Sequence, residues 1–135
     1  MMEILFRGET IGNVNTKDGL WVFGLPFYKD GKIGGIESKD GKLYTVIPET
    51  VGQYTGLTDK NGKKIFEGDI VKVTILNDYP CCVAFKDYTW YFVPIDKMIN
   101  EVRLGTLTHA IYEIIGNIHN NPEFLNKPKG DENDT

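Results

Sequence analysis

Apolar and polar positions alternate along most of this chain in short runs, and each run is cut by a turn that carries glycine. Residues 20–28 (LWVFGLPFY), 42–47 (KLYTVI), 69–76 (DIVKVTIL), 81–86 (CCVAFK) and 89–95 (TWYFVPI) are rich in aromatic and β-branched side chains. That composition, bounded by turn residues, predicts strands. In 69–76, Val71, Val73 and Ile75 share one face, while Ile70, Lys72, Thr74 and Leu76 share the other. One face uniformly apolar and the other mixed is the pattern of a half-buried antiparallel sheet. Residues 109–118 (HAIYEIIGNI) predict a further strand with Ile111 and Ile115 on one side.

The punctuation between these runs recurs as Asp18-Gly19, Asp30-Gly31, Asp40-Gly41 and Asn61-Gly62. Tight hairpin turns need positive φ, which Gly and Asn tolerate best. Helix is scarce. Asp96 is placed to cap a short helix over residues 97–102, and Asn121-Pro122-Glu123 reads as N-cap, first helical residue and first-turn acid. Phe124 and Leu125 would then fold back onto the strands. The tail at 126–135 is polar, contains Pro and Gly, and is predicted to be disordered. The pattern is all-β, mainly antiparallel hairpins with one or two short helical turns. A seam is expected near Pro48, dividing an N-terminal hairpin region (1–48) from a C-terminal region (49–125).

Composition changes this picture little. With 135 residues, 41% hydrophobic and 25% charged, the chain can bury a core without disulfides. The net charge of −4 disfavours a general polyanion binder, although a local basic patch stays open. Cys81 and Cys82 are adjacent, so their side chains leave a strand on opposite faces and cannot bridge without strain. Two free thiols, no signal-peptide pattern and no apolar run near ~20 residues predict a soluble cytoplasmic protein without a membrane span.

Candidate chemistry thins out on inspection. An EF-hand reading of 59–70 (DKNGKKIFEGDI) puts Gly at the fourth position instead of the sixth, and Ile70 where a bidentate Glu is required. Cys81, Cys82, His109 and His119 lack zinc-ligand spacing, so no metal and no cofactor is expected. Ser38 is the sole serine; Cys82 with His109 is a candidate nucleophile–base pair, though nothing in the sequence brings the two together. Glu67 and Asp69 flank Gly68, and two close carboxylates can divide acid and base roles. The stronger reading is a structural turn, with Gly68 taking a backbone conformation closed to other residues and Asp69 bonding nearby N–H groups. Asn61 and Gly62 are likewise turn formers. Lys60, Lys63 and Lys64 cluster around that turn, and Tyr54 could stack on a base beside them.

Three blocks, 7–24 (RGETIGNVNTKDGLWVFG), 48–71 (PETVGQYTGLTDKNGKKIFEGDIV) and 114–125 (IIGNIHNNPEFL), are similar to the signature blocks of the YopX-like proteins. These are small proteins of bacteriophages and prophages. The resemblance implies a β-rich fold whose C-terminal part is a small SH3-like barrel, and it brings no enzyme activity, cofactor or catalytic residue. Residues 27–44 and 106–112 are not signature positions. The expected function is therefore a non-catalytic binding or assembly module. Its partner is expected to be a second copy or a phage or host protein, anchored by aromatics of the Trp90-Tyr91-Phe92 run or of Trp21 and Phe23. The alternative is a nucleic-acid-associated small barrel using Lys60, Lys63, Lys64 and Tyr54.

Overall fold

The computed structural model describes residues 3–12, 19–76, 78–95, 101–103 and 111–126. Among these residues strands dominate, the sheets are antiparallel, and helix is confined to single turns: Pro48–Thr50 and Thr74–Leu76 as 3-10, Glu123–Asn126 as α1. The chain divides into two compact units, Met1–Gly56 and Leu57–Thr135.

In the first unit, β1 (Phe6–Glu9), β2 (Trp21–Lys29), β3 (Lys32–Glu37) and β4 (Leu43–Thr45) lie beside β5 (Gly52–Thr58) in the order β4-β3-β2-β1-β5. The hairpin from β2 to β3 turns on Asp30 (φ 53°) and Gly31 (φ 79°), with Lys29 opposite Lys32. Ile36, Val46 and Thr10 are fully buried here. Thr10 earns its place by hydrogen bonding: its Oγ1 accepts the N–H of Leu20 at 3.0 Å, and its own N–H donates to the Leu20 carbonyl at 2.8 Å. Gly35 lies under the Phe27 ring; a Cβ there would stand 2.7 Å from Phe27 Cζ and 2.1 Å from the Tyr44 carbonyl oxygen.

The end of β5 runs into the second unit, where it is paired with β6 (Lys64–Phe66). Next come β7 (Asp69–Val73), β8 (Tyr79–Lys86), β9 (Thr89–Pro94), β10 (Val102–Arg103) and β11 (Tyr112–Asn117), in the order β10-β9-β8-β7-β11. Ile65, Val71, Val73, Cys81, Val83 and Phe92 form its core, with Leu57, Trp90, Tyr112 and Ile114 packed against them. Opposed residues share a face, so the register Val71↔Cys81 and Val83↔Phe92 places these side chains together.

Several expectations need correction. The strand predicted over 69–76 stops at Val73, because Thr74–Leu76 curl into a 3-10 turn, and Ile70 on the mixed face is as buried as Val71. In β11 the residues against the core are Tyr112 and Ile114; Ile111 is exposed, and the register slips between Ile114 and Gly116. Such a bulge breaks simple two-residue alternation. Val102, expected to end a helix, lies in β10 opposite Phe92, while 97–100 fall outside the described residues. The predicted disordered tail, apart from Asn126, also falls outside them.

Candidate functional site

The β5–β6 turn is built around Asp59, which is buried. Its Oδ1 accepts the N–H groups of Asn61 at 2.8 Å and Lys63 at 3.0 Å, an Asx-type turn. Its Oδ2 accepts the N–H of Ile114 in β11 at 3.2 Å. Burial pushes the Asp59 carboxyl up, but the N–H donations from Lys63, Ile114 and Asn61 outweigh it and hold the group below its ordinary value. Gly62 completes the turn at φ 82°, its N–H donating to the Asp59 carbonyl. Lys60 is fastened as well: its N–H donates to the Tyr112 carbonyl at 2.8 Å, and its Nζ lies 3.4 Å from Glu113. Lys63 and Lys64 are exposed, but Tyr54 is only 7% exposed, so its ring offers no face to a base.

The Glu67-Gly68-Asp69 segment has a similar character. Gly68 has φ 91°, donates to the Val83 carbonyl and accepts from the Ile118 N–H at 2.9 Å. Asp69 is 1% exposed and its Oδ2 accepts the Phe66 N–H at 2.8 Å. The His119 ring covers Gly68, 3.3 Å from where a Cβ would stand. Cys82 pairs with Ile70 in the neighbouring strand, and its thiol is pushed up to about 11 by burial first, then by Asp69 and Glu67. A thiol held protonated is a poor nucleophile. His109, the base considered for it, lies outside the described residues. No cluster of three His, Cys, Asp or Glu side chains able to hold a metal occurs among the described residues.

Residues 116–121 form a third knot of backbone bonds. Asn117 Oδ1 accepts the N–H groups of His119 and Asn120, at 2.9 and 2.8 Å. Asn121 Oδ1 accepts the Asn117 N–H at 3.2 Å, so its side chain turns back to β11, and the helix expected after it begins at Glu123. Gly116 makes room: a Cβ there would stand 2.5 Å from Asn121 Oδ1. In these three segments Asp59, Asp69, Asn117 and Asn121 spend their side-chain oxygens on backbone N–H groups.

The β8–β9 hairpin does not. Lys86 is opposite Thr89, and the two residues between them, Asp87 (φ 51°) and Tyr88 (φ 65°), both lie in the left-handed region. That is the hairpin geometry of Asp30-Gly31, with tyrosine where glycine is the comfortable choice. Tyr88 is 97% exposed, so burial does not offset the strain. Beside it, Phe85 is 47% exposed and meets Trp90 edge to face, with centroids 4.8 Å apart. On the other face Lys86 Nζ lies 5.2 Å from the Tyr91 ring centroid and pairs with Glu101. Trp90 and Tyr91 are half-buried and Phe92 is fully buried, so the outward aromatics of this hairpin are Phe85 and Tyr88, which the sequence reading passed over. In the first unit Phe23 is exposed, whereas Trp21 is half-buried beneath the Arg7 guanidinium, 4.6 Å away.

A family model described as YopX protein matches residues 27–126. The match contains the second block and all of the third, begins after the first, and includes 27–44, which carried no signature in the sequence reading. No curated protein matches the chain. No helix among the described residues is long and apolar enough to cross a membrane.

Proposed function

Because the chain belongs to the YopX protein family, we propose that it is a non-catalytic binding or assembly module, encoded by a phage or prophage and working in the host cytoplasm. One observation carries the reading: a fully exposed tyrosine held at positive φ on a hairpin tip, next to a half-exposed aromatic pair. Strain of this kind, about 1–3 kcal/mol, persists where it serves a function, and aromatics on a rigid support are what protein interfaces use as anchors. Support for the absence of catalysis comes from Asp69, engaged with a backbone N–H, and from the protonated Cys82. Two free cysteines fit a reducing compartment. In the second unit the five short antiparallel strands of the β10-β9-β8-β7-β11 sheet suit a small SH3-like barrel as the scaffold.

The nucleic-acid alternative keeps exposed Lys63 and Lys64 but loses Tyr54 as a stacking ring, and Glu113 offsets Lys60. The test is capture from host cells by the immobilised full chain, comparing wild type with Tyr88→Gly. Proteins retained by the wild type and lost with Tyr88→Gly are the expected result; an identical set retained by both overturns the reading. Salt-sensitive anisotropy of a labelled oligonucleotide, weakened by Lys63→Glu, would favour the alternative instead.

A further inference from the structure

We infer that the outer face of the β2–β3 hairpin, in the first unit, binds single-stranded nucleic acid, with a base stacked on Phe27 and phosphate held by Lys29 and Lys32. Side chains alternate along a strand, so Phe23, Leu25, Phe27 and Lys29 of β2 share one face, and Phe23, Leu25 and Lys29 are exposed on it. Phe27 rests on backbone. A Cβ on Gly35 would stand 2.7 Å from its Cζ, and one on Gly34 would stand 3.1 Å from its Cε1 and 3.3 Å from Lys29 Cβ. Two consecutive glycines thus let the ring lie across β3, beside the Lys29 stem. Phe27 is half-buried, and its side away from the glycines is open to a planar ligand.

The lysine pair is what the fold itself does not explain. Lys29 stands directly opposite Lys32 at the hairpin tip, and both are exposed. Opposed Cα atoms of an antiparallel pair are about 4.5–5.5 Å apart, and like charges so placed are destabilising. Elsewhere the chain answers a lysine with a carboxylate, Lys60 with Glu113 and Lys86 with Glu101. Neither Lys29 nor Lys32 joins an ion pair among the described residues. The turn adds Asp30, so the tip sets two cations against one acid. Glu37, opposite Leu25, and Glu9, opposite Trp21, lie further along the face. A phosphate between the two ammonium groups removes their repulsion, and the attached base supplies a planar partner for Phe27. An acidic peptide brings the charge without the base. The platform is open along β2, with Phe23 about 13 Å from Phe27 at the usual strand rise, which suits a strand and not an enclosed mononucleotide. Few phosphate contacts on a chain of net charge −4 make this binding weak and salt-sensitive.

Fluorescence anisotropy of a labelled oligothymidylate, titrated with the full chain at low salt, tests this. Binding is expected, with log affinity falling against log salt at a slope of about −1.4 for two phosphate contacts on a single strand. Lys29→Gln should halve that slope. Phe27→Leu, which keeps an apolar cover over the glycines, should weaken binding about tenfold by removing the stacking face. Lys32→Glu gives Lys29 a partner of opposite charge, so binding should be lost while Tm does not fall. If Phe27→Leu fails to fold by circular dichroism, the two lysine variants carry the test. No binding at low salt, an affinity that Lys32→Glu leaves unchanged, or polyglutamate competing as well as unlabelled oligothymidylate overturns the inference. The surface is separate from the β8–β9 tip, so Tyr88→Gly should bind the oligonucleotide as wild type does. Loss of binding with Tyr88→Gly or Lys63→Glu, but not with Lys32→Glu, moves the site to the second unit and overturns the inference as well.

Discussion

Two turns of the second unit solve the same problem in opposite ways. The β5–β6 turn places a buried carboxylate at its centre and satisfies three N–H groups with it, one of them in β11. The β8–β9 turn puts Asp87 and Tyr88 at positive φ and leaves the tyrosine in water. The first turn is stabilised by what it holds; the second is strained, with no visible return in packing. Asp30-Gly31 in the first unit is the yardstick, having the same φ signs and a residue that tolerates them. The difference teaches where to look for function. Charge and glycine crowd the β5–β6 turn because the backbone needs them there, whereas Tyr88 answers no need of the fold.

That contrast can be broken in a graded series. Asp59→Ala strands three backbone donors and should cost about 3 kcal/mol, since each unsatisfied buried group costs about 1–3 kcal/mol; urea unfolding at neutral pH measures it. Gly31→Tyr copies the strained tip onto the relaxed one and should cost about 1–2 kcal/mol. The reverse change, Tyr88→Gly, should raise stability by about 1 kcal/mol, visible as a Tm several degrees higher. A Tyr88→Gly chain that is less stable than wild type would mean the tyrosine serves the fold after all.

Acid separates the two turns without mutation. The Asp59 pKa is lowered on folding, so the unfolded chain binds the proton more readily. Its contribution is present above the ordinary carboxyl value of 3.8 and is lost as pH falls through the lower folded value. Hydrogen exchange at the Asn61, Lys63 and Ile114 amides should lose protection in that range, and the Asp59→Ala chain should not show the change. Lys60→Ala should have the smallest effect, within about 0.5 kcal/mol, because its pairing with Glu113 is half exposed.

The sequence was legible where side chains alternate and where glycine marks a turn. β2, β8 and β9 follow that rule, as do the turns at Asp30-Gly31 and Asn61-Gly62. β3 was missed because Gly34 and Gly35 lower strand propensity; the Phe27 ring and the Tyr44 carbonyl lying close over Gly35 explain the glycine there. The hidden bonds of Asp59 were unreadable for another reason, as one of its partners is 55 residues away. Tyr88 escaped notice because Asp-Tyr is not a turn dipeptide; strain is a property of backbone angles, which a sequence does not spell.

The bond between Asp59 and Ile114 also has a consequence in time. As the chain leaves the ribosome, the β5–β6 turn appears early with Asn61 and Lys63 already on Asp59 Oδ1, but the Ile114 N–H reaches Oδ2 only once β11 has emerged. The same holds for the carbonyl of Gly68, which waits for Ile118. Contacts of such long sequence separation form late. The second unit therefore closes from its C-terminal end, and a chain stopped short of residue 112 lacks β11 and leaves β7 with one edge unpaired and open to other strands.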